Sequence, residues 1–410
     1  MEIEAKRLYN DTTLIDRYFP QVRVDKQLLG IRALFNLTLN FIQRLEIAKA
    51  CGSKLAGING FSPTEAFYAA GMIPVGLGRT GLFNTLLSSS AEHVVRLAEE
   101  NGLKRDNCLR LKGTLGSLIA GSIPPLDLIV CSGTFCDNQT KLSELMAEFW
   151  PVHYLDVPTK INNAAQVMME QEYRKLLARL EDLTGCRIGQ QELHRQVALE
   201  NRLRELVREL YRLMAVNPSP ISGLNGYIAQ LPPFDWLGAP DQLVHIYQNL
   251  LNEIRERVTR GYTPIEENAA RVVIAGNGTI NFRLFDLIED LGGIVVGIEA
   301  RYALVSQLIE PGDDIISSIA DWVIRFPHRG GALDRFPKIL NLVRQQQASG
   351  VIYNACWGCR HLYGSAMVIQ DLLAREGIPM IVLDLGTQGE HLGQIQTRLE
   401  AFLEMLKKNY

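Results

Sequence analysis

Two thiols, Cys356 and Cys359, stand in a C-x-x-C spacing at the end of a short apolar run, Gly350 to Ala355. The run is rich in β-branched and aromatic residues and bounded by turn residues, so it reads as a buried strand. A helical pattern follows (Leu362, Met367, Val368, Leu372, Leu373), then a second apolar run from Pro379 to Leu385. The order is strand, loop, helix, strand, with both thiols where the first strand ends. Loops at the carboxyl ends of parallel strands converge on one crevice, where open α/β sheets hold their ligands. The spacing alone leaves three chemistries open. A redox dithiol would use it at a helix N-terminus, which lowers a thiol pKa. Structural zinc would want four ligands in two close pairs, and the nearest second pair is Cys131 with Cys136. An iron–sulfur cluster takes thiolates from separate loops without fixed spacing.

The other candidates carry weaker signals. The chain has 7 cysteines, and in a cytoplasmic protein they are not expected to form a disulfide framework. Cys51 and Cys186 lack a strand-end context, and Cys131 lies inside an apolar strand, so all three read as small buried hydrophobes. AGNGTIN (275–281) joins a strand to a helix and could offer amides to a phosphate, but a tight turn explains it better. Ser62, Pro63 and Glu65 form a capping-box pattern, which gives Glu65 a local job at its own helix N-terminus. The 7 histidines show no ligand spacing, and neither a G-x-S-x-G elbow nor a P-loop is present.

The elements that must position these residues fall into three stretches. Residues 1–50 read as helical, with an apolar face of Leu29, Ile31, Leu34, Phe35, Leu37, Leu39 and Ile42. Strand–helix alternation then runs through 55–78, a strand at 126–133, a helix over 138–149 and a strand at 152–158, with an interruption near Asn107-Cys108. From about 160 to 262 the period is helical throughout, with apolar faces such as Leu203, Leu206, Val207, Leu210 and Met214. Alternation resumes with strands at 271–278 and 294–300 and a helix over 280–291. The expected fold is α/β: two Rossmann-like parallel-sheet domains with a helical segment between them, bounded as 1–160, 161–265 and 266–410. Two like-folded domains facing each other would set Cys136 and Cys356 across one cleft.

Composition narrows the class. A hydrophobic content of 47% and a charged content of 21% are ordinary for a globular chain. A net charge of −3 with no basic cluster gives no reason to expect nucleic acid. MEIEAKRLYNDTT has no apolar signal core and no long apolar run appears, so the expected location is the cytoplasm, away from a membrane.

Taken together, SPTEAFYAAGMIPV, Asn107-Cys108 before a helix, GTFCDNQTK, and NAC with GQIQTRLEAFLEML resemble the 2-hydroxyacyl-CoA dehydratase family, which also holds benzoyl-CoA reductase subunits and double-cubane cluster proteins. The resemblance covers about residues 50–406 in the same order. It implies a [4Fe-4S] cluster on Cys108, Cys136 and Cys356, with the fourth iron coordinate left for water or a thioester oxygen. It implies water removal from a 2-hydroxyacyl-CoA through a ketyl radical, a paralogous partner subunit, and a separate ATP-dependent iron–sulfur activator. It also implies that Glu65, in the P-x-E motif, lies at the cleft as an acid for the departing hydroxide. The chain departs from the family at Ile58-Asn59-Gly60, where members often carry a cysteine. Glu299-Ala300-Arg301 stands where double-cubane proteins need another. Cys359 is an extra thiol: a fourth ligand closing the cluster, or a bystander. The alternatives are an aromatic acyl-CoA reductase subunit and a structural metal-binding paralogue.

Overall fold

The computed structural model describes residues 13–81, 91–133, 136–277, 282–356, 358–384 and 392–408. Two four-stranded, all-parallel sheets organise it. The first contains β1 (Leu55–Asn59), β2 (Ile73–Gly76), β3 (Leu128–Ser132) and β4 (Val152–Leu155) in the order β2-β1-β3-β4. The second contains β5 (Ala270–Gly276), β6 (Gly293–Ile298), β7 (Gly350–Asn354) and β8 (Met380–Leu383) in the order β6-β5-β7-β8. The α/β reading of the sequence therefore holds. Residues of the central strands β1, β3, β5 and β7 are buried throughout, as strands covered on both faces must be.

The shared order has a consequence for ligands. In each sheet the chain reverses its winding between two central strands, β1 and β3 or β5 and β7, and the crevice of such a fold opens at their carboxyl ends. Asn59 pairs with Cys131 at the end of the first couple, and Gly276 with Asn354 at the end of the second. Cys136 follows β3, and the C-x-x-C follows β7.

Between the sheets run the helices Asn163–Thr184, Gln190–Met214, Gly223–Ala229 and Pro240–Thr259. The expected apolar stripe of the second, from Leu203 to Met214, is buried. This helix touches structure on both sides. Glu200 and Arg204 reach Thr64 and Glu65 beside the first sheet, while the Tyr211 carbonyl accepts from the Gln346 side chain beside the second, at 3.0 Å. The helical segment is thus a common wall on which both halves pack. Near the cysteines the halves also meet directly, where Phe61 stacks on Phe326 at 3.7 Å between centroids.

Several local expectations shift. The helix after Cys136 is Asp137–Met146, and the strand before Glu299 ends at Ile298, where a one-turn helix begins. The helix expected over 280–291 is Arg283–Asp290, and residues 278–281 lie outside the described residues, as do 385–391. In the helix Ala366–Arg375 the buried residues are Ala366, Ile369 and Leu373, whereas Met367 and Val368 face outward. Cys51 and Cys186 are exposed, not buried; only Cys131 of that trio is a core residue. The capping box is absent. The helix is Glu65–Ala69, Thr64 precedes it without a side-chain cap, and the buried Ser62 hydroxyl has no partner among the described residues. A fully buried carboxylate needs a charged partner more than its helix needs a cap, and Glu65 turns to Arg204 instead.

Candidate functional site

Three thiols occupy the same kind of position. Cys108 precedes the helix Leu109–Ile119, Cys136 precedes Asp137–Met146, and Cys359 precedes Arg360–Tyr363. Amides from the first turn reach each sulfur: Arg110 for Cys108, Asn138 and Gln139 for Cys136, and Leu362 for Cys359. Such amides favour a thiolate over a thiol. The three line one cavity of about 90 Å³ with Arg110, Phe326 and His328. Cys356 is not among the residues that line it: its thiol donates to the Asn354 Oδ1 at 3.3 Å, and the Asn277 side chain donates to the sulfurs of both Cys356 and Cys359.

The loops are locked together by backbone shape. Gly276 at the end of β5 has φ +82, and a Cβ there would lie 2.4 Å from the Asn354 carbonyl oxygen. Gly358 has φ +78, and a Cβ there would lie 2.7 Å from the Asp106 carbonyl oxygen. Only glycine takes this conformation without strain and allows such an approach. The C-x-x-C loop therefore rests on the loop that carries Cys108.

Charge is distributed unequally over the four sulfurs. The Cys108 thiol hydrogen-bonds the Cys359 sulfur, which pushes Cys108 well up, with burial adding to the effect. The same bond brings Cys359 down to about 5 against its burial, helped by Asn277, the Leu362 amide and Arg110. Burial pushes Cys356 up to about 12 and also raises Cys136.

Two histidines flank this group. His361 Nε2 donates to the His328 carbonyl oxygen at 3.3 Å, and burial pushes His361 down to about 4 and lowers His328. His361 is therefore neutral near pH 7. Behind them, burial works to raise the Glu299 carboxyl, but Arg335 and His328 overcome it and hold the group well below the usual carboxylate range. Arg335 Nε meets Glu299 Oε1 at 2.9 Å, and the Gly276 amide donates to Oε2 at 2.9 Å. Glu299, standing where a further cysteine was sought, is thus an anchor for the β5 turn.

Glu65 is elsewhere. It is fully buried and lines no part of the cysteine cavity. Arg204 Nη2 donates to Glu65 Oε1 at 2.6 Å and to Glu200 Oε2 at 3.2 Å. Sequence reasoning also passed over Arg110, Asn277, His328 and His361. Arg110 and His361 each stand two residues beyond a site cysteine, which is a usable signal. Asn277 was read only as part of a turn, and His328 comes from a distant loop with no local mark.

Among the described residues, no three His, Cys, Asp or Glu side chains are grouped to hold a single metal ion. No described helix is long and apolar enough to cross a membrane. Comparison with known proteins adds the lineage. The chain is 26% identical over 361 residues to the "Putative dehydratase subunit YjiM" of Escherichia coli (strain K12), covering 84% of this chain and 89% of that protein. It is 22% identical to the beta subunit of (R)-2-hydroxyglutaryl-CoA dehydratase of Acidaminococcus fermentans, over 87% of this chain and 94% of that one. It is 21% identical to the beta subunit of lactoyl-CoA dehydratase of Anaerotignum propionicum, over 84% and 90% respectively. The family model described as 2-hydroxyglutaryl-CoA dehydratase, D-component, matches residues 59–406, and this chain belongs to that 2-hydroxyacyl-CoA dehydratase family.

Proposed function

We propose that this chain is the iron–sulfur subunit of a 2-hydroxyacyl-CoA dehydratase, with a [4Fe-4S] cluster on Cys108, Cys136 and Cys356. The observation that carries the reading is the convergence of three separate loops on one small cavity, with Cys108, Cys136 and Cys359 in its lining and Cys356 in the same C-x-x-C loop as Cys359. The donor set suits a cluster. Thiolates are the ligands that such clusters take. The helix amides and Arg110 offset the negative charge that the thiolates bring. Phe326, Leu304 and Leu111 make part of the cavity wall apolar.

When bound, the cluster supplies the single electron needed to make the unacidic β-proton of a 2-hydroxyacyl thioester removable. This chain's residues hold and shield it. The cavity of about 90 Å³ is far smaller than the ~300–1,000 Å³ of ordinary ligand pockets, so an acyl-CoA does not fit inside it. We place the acyl-CoA against a paralogous partner subunit, as the relatives' designation as beta subunits suggests. The absence of a P-loop in the sequence calls for a separate ATP-hydrolysing activator to deliver the electron. Unpaired thiols suit a reducing, cytoplasmic setting.

The test is anaerobic co-expression with a paralogous dehydratase subunit and an ATP-hydrolysing iron–sulfur activator, followed by a screen of acyl-CoA substrates. The expected result is loss of water from a 2-hydroxyacyl-CoA. An iron-replete complex that reduces an aromatic acyl-CoA ring and dehydrates nothing would overturn the reading.

A further inference from the structure

The cavity is bordered by Cys108, Cys136 and Cys359, whereas Cys356, the thiol expected as third ligand, is not among its lining residues. Cys359 is the thiol closest to the others in its interactions: it hydrogen-bonds Cys108 and acts electrostatically on both Cys136 and Cys356. Its place is built. The positive-φ Gly358 seats its loop on Asp106 and Asn107, the next residues before Cys108. The Leu362 amide reaches its sulfur from one side and the Asn277 side chain from another. The residue is only 9% exposed, and its backbone amide donates to the Cys356 carbonyl oxygen at 3.1 Å, closing a turn between the two thiols. A bystander thiol has no need of glycine at 358, a polar side chain shared with Cys356, or a position between two loops.

We propose that Cys359 is a fourth sulfur ligand of the cysteine centre and closes the coordination shell that three thiolates would leave open. The inference rests on the functional reading above. A closed shell has no iron coordinate for a thioester oxygen, so this chain would pass electrons on to a substrate held at its partner.

The experiment compares wild type, Cys359→Ser and Cys359→Ala, all purified without oxygen with the partner subunit. Iron, acid-labile sulfide and far-ultraviolet circular dichroism are measured first. Each sample is then briefly oxidised with ferricyanide and examined by electron paramagnetic resonance. An iron without a protein ligand is lost readily, which leaves a paramagnetic three-iron form. Wild type should resist this conversion, and folded Cys359→Ala should either convert at least severalfold faster or hold less iron than wild type. Cys359→Ser keeps the size of the side chain and separates loss of the ligand from a packing defect. Equal iron and equal resistance in all three proteins would overturn the proposal. So would a Cys108–Cys359 disulfide found by mass spectrometry in iron-replete wild type. Absence of iron and sulfide from wild type would instead sink the functional reading on which the proposal stands.

Discussion

Arg204 sits between Glu65 and Glu200, donating to Glu65 at 2.6 Å and to Glu200 at 3.2 Å, with its guanidinium 4.5 Å from the Trp322 ring centroid. Two buried carboxylates share one cation. Burial and the neighbouring Glu65 push the Glu200 carboxyl well above its ordinary value.

This arrangement orders two substitutions. Arg204→Met strands both carboxyl groups and should cost about 3–5 kcal/mol, the usual scale for a buried charge left alone. Glu65→Gln should cost less, because Glu200 remains as a carboxyl partner for Arg204. Denaturation midpoints check the order, and a larger loss in Glu65→Gln would contradict it. Turnover of a folded, iron-replete Glu65→Gln complex should stay within severalfold of wild type. A fall of roughly a hundredfold would instead support the acid role implied by the family resemblance.

Gly358→Ala should prise the two cysteine loops apart. The new Cβ meets the Asp106 carbonyl oxygen at 2.7 Å in a conformation that alanine resists. Thiol labelling of the metal-free protein should show Cys359 reacting at least severalfold faster than in wild type. Unchanged labelling would mean that the loops are not held by this contact.

Glu299 and Arg335 give a pH-dependent contribution to stability. Because the Glu299 carboxyl is held below its ordinary range, the stability it contributes is present above the unfolded-state value and is lost as pH falls below about 4.3. Arg335→Met should cost about 3–5 kcal/mol at pH 7 and less at pH 4. Equal losses at both pH values would refute this assignment.

Glu289 works in the opposite sense. Its carboxyl accepts from the Gly223 amide at 2.8 Å, and burial pushes it up to about 7. A raised carboxyl favours the fold below its unfolded-state value, and that advantage is lost as pH rises through about 7. Glu289→Gln keeps an acceptor for the amide and should flatten stability between about pH 4.5 and 7, with a gain on the order of 2 kcal/mol at pH 8. Unchanged pH dependence of the unfolding temperature would contradict it.

The strands and the long amphipathic helices were legible because apolar period reports burial directly. β3 and β7 are unbroken apolar runs, and Leu203 to Met214 trace one helical stripe. The glutamates were less legible. Glu65 has the spacing of a helix cap, and nothing nearby in sequence announces Arg204, 139 residues away. Cys51 and Cys186 were misjudged for a related reason, since cysteine carries no periodic signal of its own. At the site, the resemblance named thiols, but the docking of the Gly358 loop on Asp106 is a long-range contact that spacing cannot encode. His328 reaches the cavity for the same reason.

The central claim is that these cysteines hold an iron–sulfur cluster, and iron and acid-labile sulfide per chain test it most directly. The account predicts about four of each in anaerobically purified wild type, with substantial loss in Cys136→Ser and none in Cys186→Ser. A Cys136→Ser protein with full iron and sulfide, or a folded wild type with neither, would contradict it.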